Sequence, residues 1–247
     1  MTAQMFIGVD DTDVEGSPGT GRVARGLADH LGALGLGMSL GVTRHQLLVD
    51  PRIPYTSHNS SLCIGLESTA EIGAVAKAAR EYLEACAVEG ADPGLCVAED
   101  KAVTSRMQRF GQEAKVSVLA VEDALKAVLG SGVVLASIAG GPEGVIGALA
   151  AVGLRAHGND GRFVDLPGIR EVGGVVTVQH LMKMTAVVAV VDDHNQPLAG
   201  DELIDSQDWL RASLVGGVPV LKVQQDLSGG ERWVSYERRN RNSSTHH

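Results

Sequence analysis

The sequence predicts a fold of the α/β or α+β class: a mixed sheet with flanking helices and a strand-rich C-terminal part. Two observations carry this. Up to Val152, short apolar runs alternate with segments whose apolar residues recur at helical spacing. From Val175 onward the apolar runs are short, β-branched and separated by turn residues. At 247 residues the chain suits one large domain or two small ones. We read residues 1–195 as a core and 196–247 as a strand-rich extension with a tail.

Met5 to Val9 is a short apolar run and predicts a buried strand. A loop follows from Asp10 to Gly21, punctuated by Gly16, Pro18, Gly19 and Gly21. Val23, Leu27, Leu31 and Leu34 then recur at helical spacing, and the glycines near Gly35 and Gly37 end that helix. Leu40 to Val49 and Ser61 to Leu66 predict two more strands, with Pro51 and Pro54 breaking the chain between them. Ile72 to Ala87 places Ile72, Val75, Ala79, Leu83 and Cys86 on one helical face. Leu95 to Ala98 is expected as a strand and Asp100 to Phe110 as helical. Val121 to Leu129 predicts a short helix, Val133 to Ile138 a strand and Gly144 to Val152 another helix. Beyond these, Val175–Val178, Val187–Val191, Val218–Val223 and Trp233–Tyr236 read as strands. The polar stretch from Ser243 to His247 is left out of this reading.

Composition narrows the function classes. A formal net charge of −9 argues against broad, nonspecific phosphate binding, which rests on clustered Lys and Arg. Cys63, Cys86 and Cys96 form no Cys-x-x-Cys pair, so neither a zinc ribbon nor a disulfide framework is indicated, and a reducing, cytoplasmic setting is expected. No signal peptide is recognisable, and no apolar run approaches a membrane span. The 31 glycines direct attention to tight turns and close backbone approaches.

The first such region is acidic. Asp10, Asp11, Asp13 and Glu15 fall within the first 21 residues, with no Lys or Arg before Arg22. Three carboxylates within four positions repel one another unless a cation sits among them. Magnesium suits the role, because it takes oxygen ligands and commonly uses one or two carboxylates plus substrate phosphates. In an extended turn Asp11 and Asp13 would point to one side and Asp10 to the other. Asp10 is also expected at the carboxyl end of the first strand, where ligands bind in open α/β sheets. The alternative is a solvated acidic turn of Asx and capping residues.

Gly16-Ser17-Pro18-Gly19-Thr20-Gly21 then leads into a helix. Backbone N–H groups at a helix start, with the helix dipole, form an anion site. Gly19, Gly21 and Arg22 are therefore expected to face phosphates, although no Gly-Lys-Ser/Thr of a Walker A loop follows. Thr20 reads either as a helix cap or, beside metal and phosphate, as a phosphoryl acceptor or metal contact. A second glycine loop, Gly140-Gly141-Pro142-Glu143-Gly144-Val145-Ile146-Gly147, opens the helix after residue 138. Gly144 and Gly147 lie on one helical face, leaving room for a nucleotide or for a closely packed strand. Other polar groups are weaker candidates: Arg44-His45 and His58-Asn59; Lys101, Arg106 and Arg109; and Arg155, His157, Asp160 and Arg162. The Arg232, Arg238, Arg239 and Arg241 group reads as a basic tail.

Three of these patches resemble a known family. Ile7-Gly8-Val9-Asp10-Asp11-Thr12-Asp13, with Thr20 seven residues beyond Asp13, resembles the start of the archaeal tRNA-isoleucine agmatinylcytidine synthetases (TiaS-type). Gly144-Val145-Ile146-Gly147-Ala148-Leu149-Ala150-Ala151 is similar to their second hallmark. Between the two, Pro51 to Ser61, with Ile53-Pro54 and Asn59, resembles a third segment. The family uses ATP to activate a tRNA anticodon cytidine, which agmatine then attacks. The resemblance implies a kinase-like core over residues 1–195 with a ferredoxin-like portion within or after it. It implies that Asp10, Asp11 and Asp13 handle magnesium and phosphates and that Thr20 carries a phosphoryl group. It implies too that Asn59 and the helix start at Gly144 and Gly147 line the ATP or substrate site, and Gly140 and Gly141 just before that helix are expected to bind ATP with them. The family's OB-fold and cysteine zinc ribbon have no counterpart motifs here, and its Cys-Thr-Thr is Gly19-Thr20-Gly21. A smaller acceptor than full tRNA is therefore expected.

The sequence thus points to an ATP- and Mg2+-dependent phosphotransferase or ATP-driven activating enzyme acting on an unidentified small-molecule or nucleic-acid acceptor. The alternatives are a tRNA-modifying enzyme or accessory, a noncatalytic nucleotide-binding module, and a haloacid dehalogenase-type phosphohydrolase with Asp11 as nucleophile.

Overall fold

The computed structural model of the chain describes residues 2–53, 55–56, 58–207, 210–226 and 232–235. The N-terminal half runs β1 (Ala3–Asp10), α1 (Thr20–Ala33), β2 (Met38–Gln46), β3 (Ser60–Ser68), α2 (Ile72–Cys86), β4 (Gly94–Glu99), α3 (Ser105–Glu113), α4 (Val121–Val128), β5 (Val134–Ser137) and α5 (Gly144–His157). There follow β6 (Arg162–Asp165), β7 (Val175–Thr177), α6 (Val178–Met184), β8 (Ala189–Val191), β9 (Leu203–Asp205), β10 (Ser213–Val215), β11 (Val218–Gln225) and β12 (Trp233–Ser235). The strands form one open mixed sheet in the order β5-β4-β1-β3-β2-β6-β10-β11-β12-β9-β7, with β8 pairing β11. The expected class holds.

β1 shows why its sequence is a strand. Met5, Phe6, Ile7, Gly8 and Val9 are all buried, because helices cover both faces of the sheet. Met5, Ile7 and Val9 pack into a cluster with Val23, Leu27 and Leu31 of α1 and Val75, Ala79 and Leu83 of α2. Phe6 points the other way, into a cluster with Met107 and Phe110 of α3 and Ala148, Leu149 and Val152 of α5. Gly8 sits where α5 crosses the sheet: a methyl there would overlap the carbonyl oxygen of Ala148. A third cluster, including Phe163, Leu181, Val190, Ile204, Leu214 and Leu221, underlies the C-terminal strands and draws on residues from both sides of position 195.

Asp10 ends β1, as expected. β1 is antiparallel to both β3 and β4, so Asp10 lies opposite Gly94 at the start of β4. The edge that receives Asp10 is therefore a mixture of strand ends rather than a row of carboxyl ends. The C-terminal part is also less purely extended than its β-branched runs suggest. Val178 begins α6 rather than ending a strand, and the Thr177 side chain caps that helix by accepting from the His180 N–H at 3.2 Å. The segment from Asp100 to Phe110 divides into a 3-10 turn over Asp100–Ala102 and α3. Among the described residues no helix is long and apolar enough to cross a membrane. Pro54, Tyr236, Arg238, Arg239 and Arg241 lie outside the described residues.

Candidate active site

A cleft with a volume of about 180 Å3 opens at the edge of the sheet where β1 ends and β3 begins. Asp10, Asp11, Asp13, Thr20, Asn59 and Glu143 line it, joined by Arg52, Thr56 and Ile146. The acidic loop does not run extended. Asp11 has φ +52°, a left-handed conformation that Asp tolerates better than most residues, so the expected alternation of side chains is broken. The three carboxylates consequently meet different surroundings.

Asp13 closes the loop onto the first helix. Its Oδ1 accepts from the Thr20 backbone N–H at 3.2 Å and from the Thr20 hydroxyl at 2.5 Å, and its Oδ2 accepts from the Thr56 hydroxyl at 3.0 Å. Thr20 is thus not the cap of α1 but its first residue, tied backward to the acidic loop; Gly19 occupies the N-cap position without a side-chain bond. Asp10 faces α5. Loss of hydration holds its carboxyl well above the ordinary carboxylate range, and the neighbouring Asp11 charge pushes the same way. The Asp11 carboxyl is raised as well, first by burial and then by the charges of Asp92, Asp13 and Glu143.

Asp92 and Glu143 complete the acidic ring, and nothing in the chain's local patterns singled out Asp92. It lies two residues before the start of β4, and its Oδ1 accepts from the Gly141 N–H at 2.5 Å. The signal that could have found it is the pairing of Asp10 with Gly94, which brings the residues just before β4 to the end of β1. The second glycine loop is thereby fixed by protein contacts. A side chain at Gly140 would run into Asp92, at Gly141 into the Glu143 carboxylate, and at Gly144 it would overlap the Asp92 carbonyl. At Gly147 it would overlap the Asp10 carboxylate. Of the two readings of these glycines, close packing is what the geometry displays; none of the four lines the cleft. Gly19, Gly21 and Arg22 also stand outside its lining, and Gly19 carries no cap bond at the start of α1. Asn59 does line it, while its amide donates to the Leu48 carbonyl at 2.6 Å.

The donor set fits magnesium in kind. Its atoms are oxygens, its carboxylates are mutually repulsive, and the buried Thr12 hydroxyl of the same loop has no hydrogen-bond partner. Among the described residues no three His, Cys, Asp or Glu side chains are gathered to hold a metal unaided. One or two carboxylates plus ligand phosphates would therefore have to share it. Of the other polar candidates, His58 also lines the cleft, and others fall elsewhere. Arg106 donates to the Ala127 and Leu129 carbonyls at 3.0 and 2.9 Å, Lys101 pairs with Glu99 at 2.7 Å, and Arg155 is buried over the Phe163 ring.

No protein-family model and no curated protein matches the chain. Solved structures do. A structure of apo TiaS, an agmatidine synthetase acting on an isoleucine tRNA, is 25% identical with a TM-score of 0.52, covering 61% of this chain and 35% of that one. A complex of TiaS with that tRNA and ATP is 26% identical with a TM-score of 0.54, and a tRNA fluorescent labeling enzyme is 27% identical with a TM-score of 0.54. Each of these two covers 61% of this chain and 36% of the other, so the matched region spans about a third of the length of those proteins. The resemblance is therefore one of structure as well as of sequence: this chain contains a part that is similar in structure to TiaS-type enzymes.

Proposed function

We propose that the chain is an ATP- and magnesium-dependent enzyme of the phosphoryl-transfer or ATP-driven activating kind, related to the ATP-handling part of TiaS. The observation that carries this is the Thr20 hydroxyl held 2.5 Å from Asp13 inside a cleft of repelling carboxylates. Support comes from the similarity to a TiaS structure whose complex contains ATP.

In this reading Asp10 and Asp11 are the magnesium ligands, helped by phosphate oxygens. Magnesium, when bound, neutralises the charge that builds on the phosphates. Asp13 does different work. Its hydrogen bond from the Thr20 hydroxyl, beside that from the Thr20 N–H, holds the hydroxyl in place at the cleft wall. As that oxygen attacks the γ-phosphorus, Asp13 takes the hydroxyl proton, the Thr20 O–P bond forms and the bond to ADP breaks. Glu143 and Asp92 keep the pocket acidic and, through Gly141, hold the α5 start in place. Transfer from Thr20 to an acceptor smaller than full tRNA completes turnover. Mass measurement of the protein after incubation with Mg–ATP tests this: wild type gains one phosphoryl group and Thr20→Val gains none. An unmodified wild type, or equal labelling of Thr20→Val, removes the covalent step.

A second reading keeps tRNA as the acceptor, because a TiaS structure that matches here was solved with its isoleucine tRNA bound. Modification of a tRNA anticodon by the chain in the presence of ATP would establish it.

A further inference from the structure

Two clefts meet at the start of β3, and they differ in which of their charged groups the protein already engages. The larger, basic one, about 520 Å3, is lined by Arg44, Lys115, Arg162, Arg211, Lys222 and Asp160. Arg44 of β2 pairs with Arg162 of β6, Arg162 with Ser213 of β10, and Ser213 with Val220 of β11, two residues before Lys222. Arg44, Arg162 and Lys222 thereby stand in one row across four adjacent strands. Most of these charges have protein partners. Arg44 Nε donates at 2.9 Å to the hydroxyl of Ser60, which lines the acidic cleft. Asp160 accepts from His45 Nδ1 at 2.9 Å and pairs with Lys115 Nζ at 2.5 Å, and Arg162 and Arg211 are engaged as well.

In the acidic cleft the engaged carboxylate is Asp13. Three donors fill three of its roughly four lone-pair sites: the Thr20 N–H and hydroxyl on Oδ1, and the Thr56 hydroxyl on Oδ2 at 3.0 Å. Among the described residues no hydroxyl donates to Asp10 or Asp11, yet the charge of Asp13 reaches both and helps to raise their carboxyls. Asp13 thus lines the same cleft as the two residues assigned to magnesium, and Thr56 covers the oxygen that Thr20 leaves open. The connection from β2 to β3 carries Thr56 there, and its two ends are tied together. The Leu47 N–H donates to the Asn59 carbonyl at 2.9 Å and the Asn59 amide to the Leu48 carbonyl at 2.6 Å. Asp50 stiffens the same segment by accepting from Arg52 Nε and Nη2, each at 2.8 Å.

We propose that Thr56 is a positioning residue that reserves Asp13 for the Thr20 proton by keeping its second oxygen from the metal. This role rests on the phosphoryl-transfer reading, in which Asp10 and Asp11 hold magnesium and Asp13 takes the proton. Metal sites of this kind gain affinity with the charge of the ligands offered. A carboxylate beside a cation, however, accepts a proton less readily. With the Thr56 hydroxyl gone, Asp13 Oδ2 is open to the metal, so metal binding tightens while transfer slows. A merely structural loss weakens both together.

The bond from Thr56 is exposed, so Thr56→Val should fold, and its melting temperature checks this. Two measurements test the role. Mn2+, standing in for magnesium and titrated without nucleotide under electron paramagnetic resonance, should bind Thr56→Val severalfold more tightly than wild type. Mass measurement of Thr20 labelling at saturating Mg–ATP should give a rate about tenfold lower, the scale of one lost hydrogen bond to a charged group. Thr56→Ser, which keeps the hydroxyl, should return both quantities to their wild-type values. Weaker or unchanged Mn2+ binding in Thr56→Val, an unchanged labelling rate, or a Thr56→Ser that restores neither would each overturn the proposal. An unlabelled wild type overturns the phosphoryl-transfer reading instead, and the guarding of Asp13 is then decided by the Mn2+ titration alone.

Discussion

The two clefts at the end of β1 and β2 are built from the same sheet edge yet from different kinds of sequence. The acidic one is made by a loop: Asp10, Asp11 and Asp13 are neighbours in the chain, and a left-handed Asp11 divides them among different partners. The basic one is made by register: Arg44, Arg162 and Lys222 meet because β2, β6, β10 and β11 are paired in that order. A loop can concentrate charge that only a ligand relieves, whereas a strand row gathers charge without any local sign of it. In the first the tension shows as raised carboxyls at Asp10 and Asp11; in the second the bonds from His45 and Lys115 hold the Asp160 carboxyl low.

The largest test of this contrast is ligand-linked stability. With Mg–ATP at about one hundred times its dissociation constant, binding to the folded state alone is worth about 2.7 kcal/mol. Thermal unfolding should show that gain in the wild type, and Asp11→Asn should lose it. A gain kept in full by Asp11→Asn would place the nucleotide outside the acidic cleft. Next in size is Gly147→Ala. Its methyl would overlap the Asp10 carboxylate, so either α5 or the end of β1 must shift, at a cost of about 1–3 kcal/mol typical of overpacking. Denaturant unfolding measures it. Asp10→Ala in the same chain should restore much of the loss, because it removes the atoms in the way; an unimproved double variant would place the strain elsewhere.

What the sequence revealed follows the same division. The strands and helices of the N-terminal half were legible because β1 and α2 carry unbroken apolar runs or faces, and the acidic loop because its charges are contiguous. Asp92 was not, since it joins Asp11 only through the pairing of Asp10 with Gly94. The glycines of the second loop were visible, but their role was open until their contacts with Asp92 and Asp10 appeared. β6, β9 and β10, of four, three and three residues, escaped because so short a run holds no measurable periodicity. The basic row escaped with them, because two of its strands are β6 and β10.

The third expectation concerns pH, and its sign distinguishes the clefts. Because the folded-state pKa of Asp10 is raised, the native chain binds more protons than the unfolded one between the ordinary carboxylate range and that raised value. Stability contributed by this group therefore increases as pH falls through its raised pKa and declines as pH rises. Asp160 has the opposite sign: its depressed pKa contributes stability above the ordinary carboxylate pKa that is lost as pH falls through the lower folded value. Metal-free melting curves of Asp10→Asn should be more stable than wild type near neutrality and less sensitive to mild acid. If Asp10→Asn instead destabilises the metal-free chain at neutral pH, the cost assigned to burying the Asp10 carboxylate beside Asp11 is absent.

The smallest effect belongs to the wall between the clefts. Asn59 donates to the Leu48 carbonyl at 2.6 Å, its own carbonyl receives the Leu47 N–H at 2.9 Å, and the next residue, Ser60, carries the bond from Arg44. Removing the amide in Asn59→Ala leaves the Leu48 carbonyl without that donor, costing about 1 kcal/mol. The loss should appear in denaturant unfolding whether or not ligands are present, because the bond is internal to the fold. Were Asn59 chiefly an ATP contact, the metal-free chain would be unaffected and the Mg–ATP gain alone would shrink. The ratio of those two changes therefore decides whether the residue belongs to the scaffold separating the clefts or to the ligand within one of them.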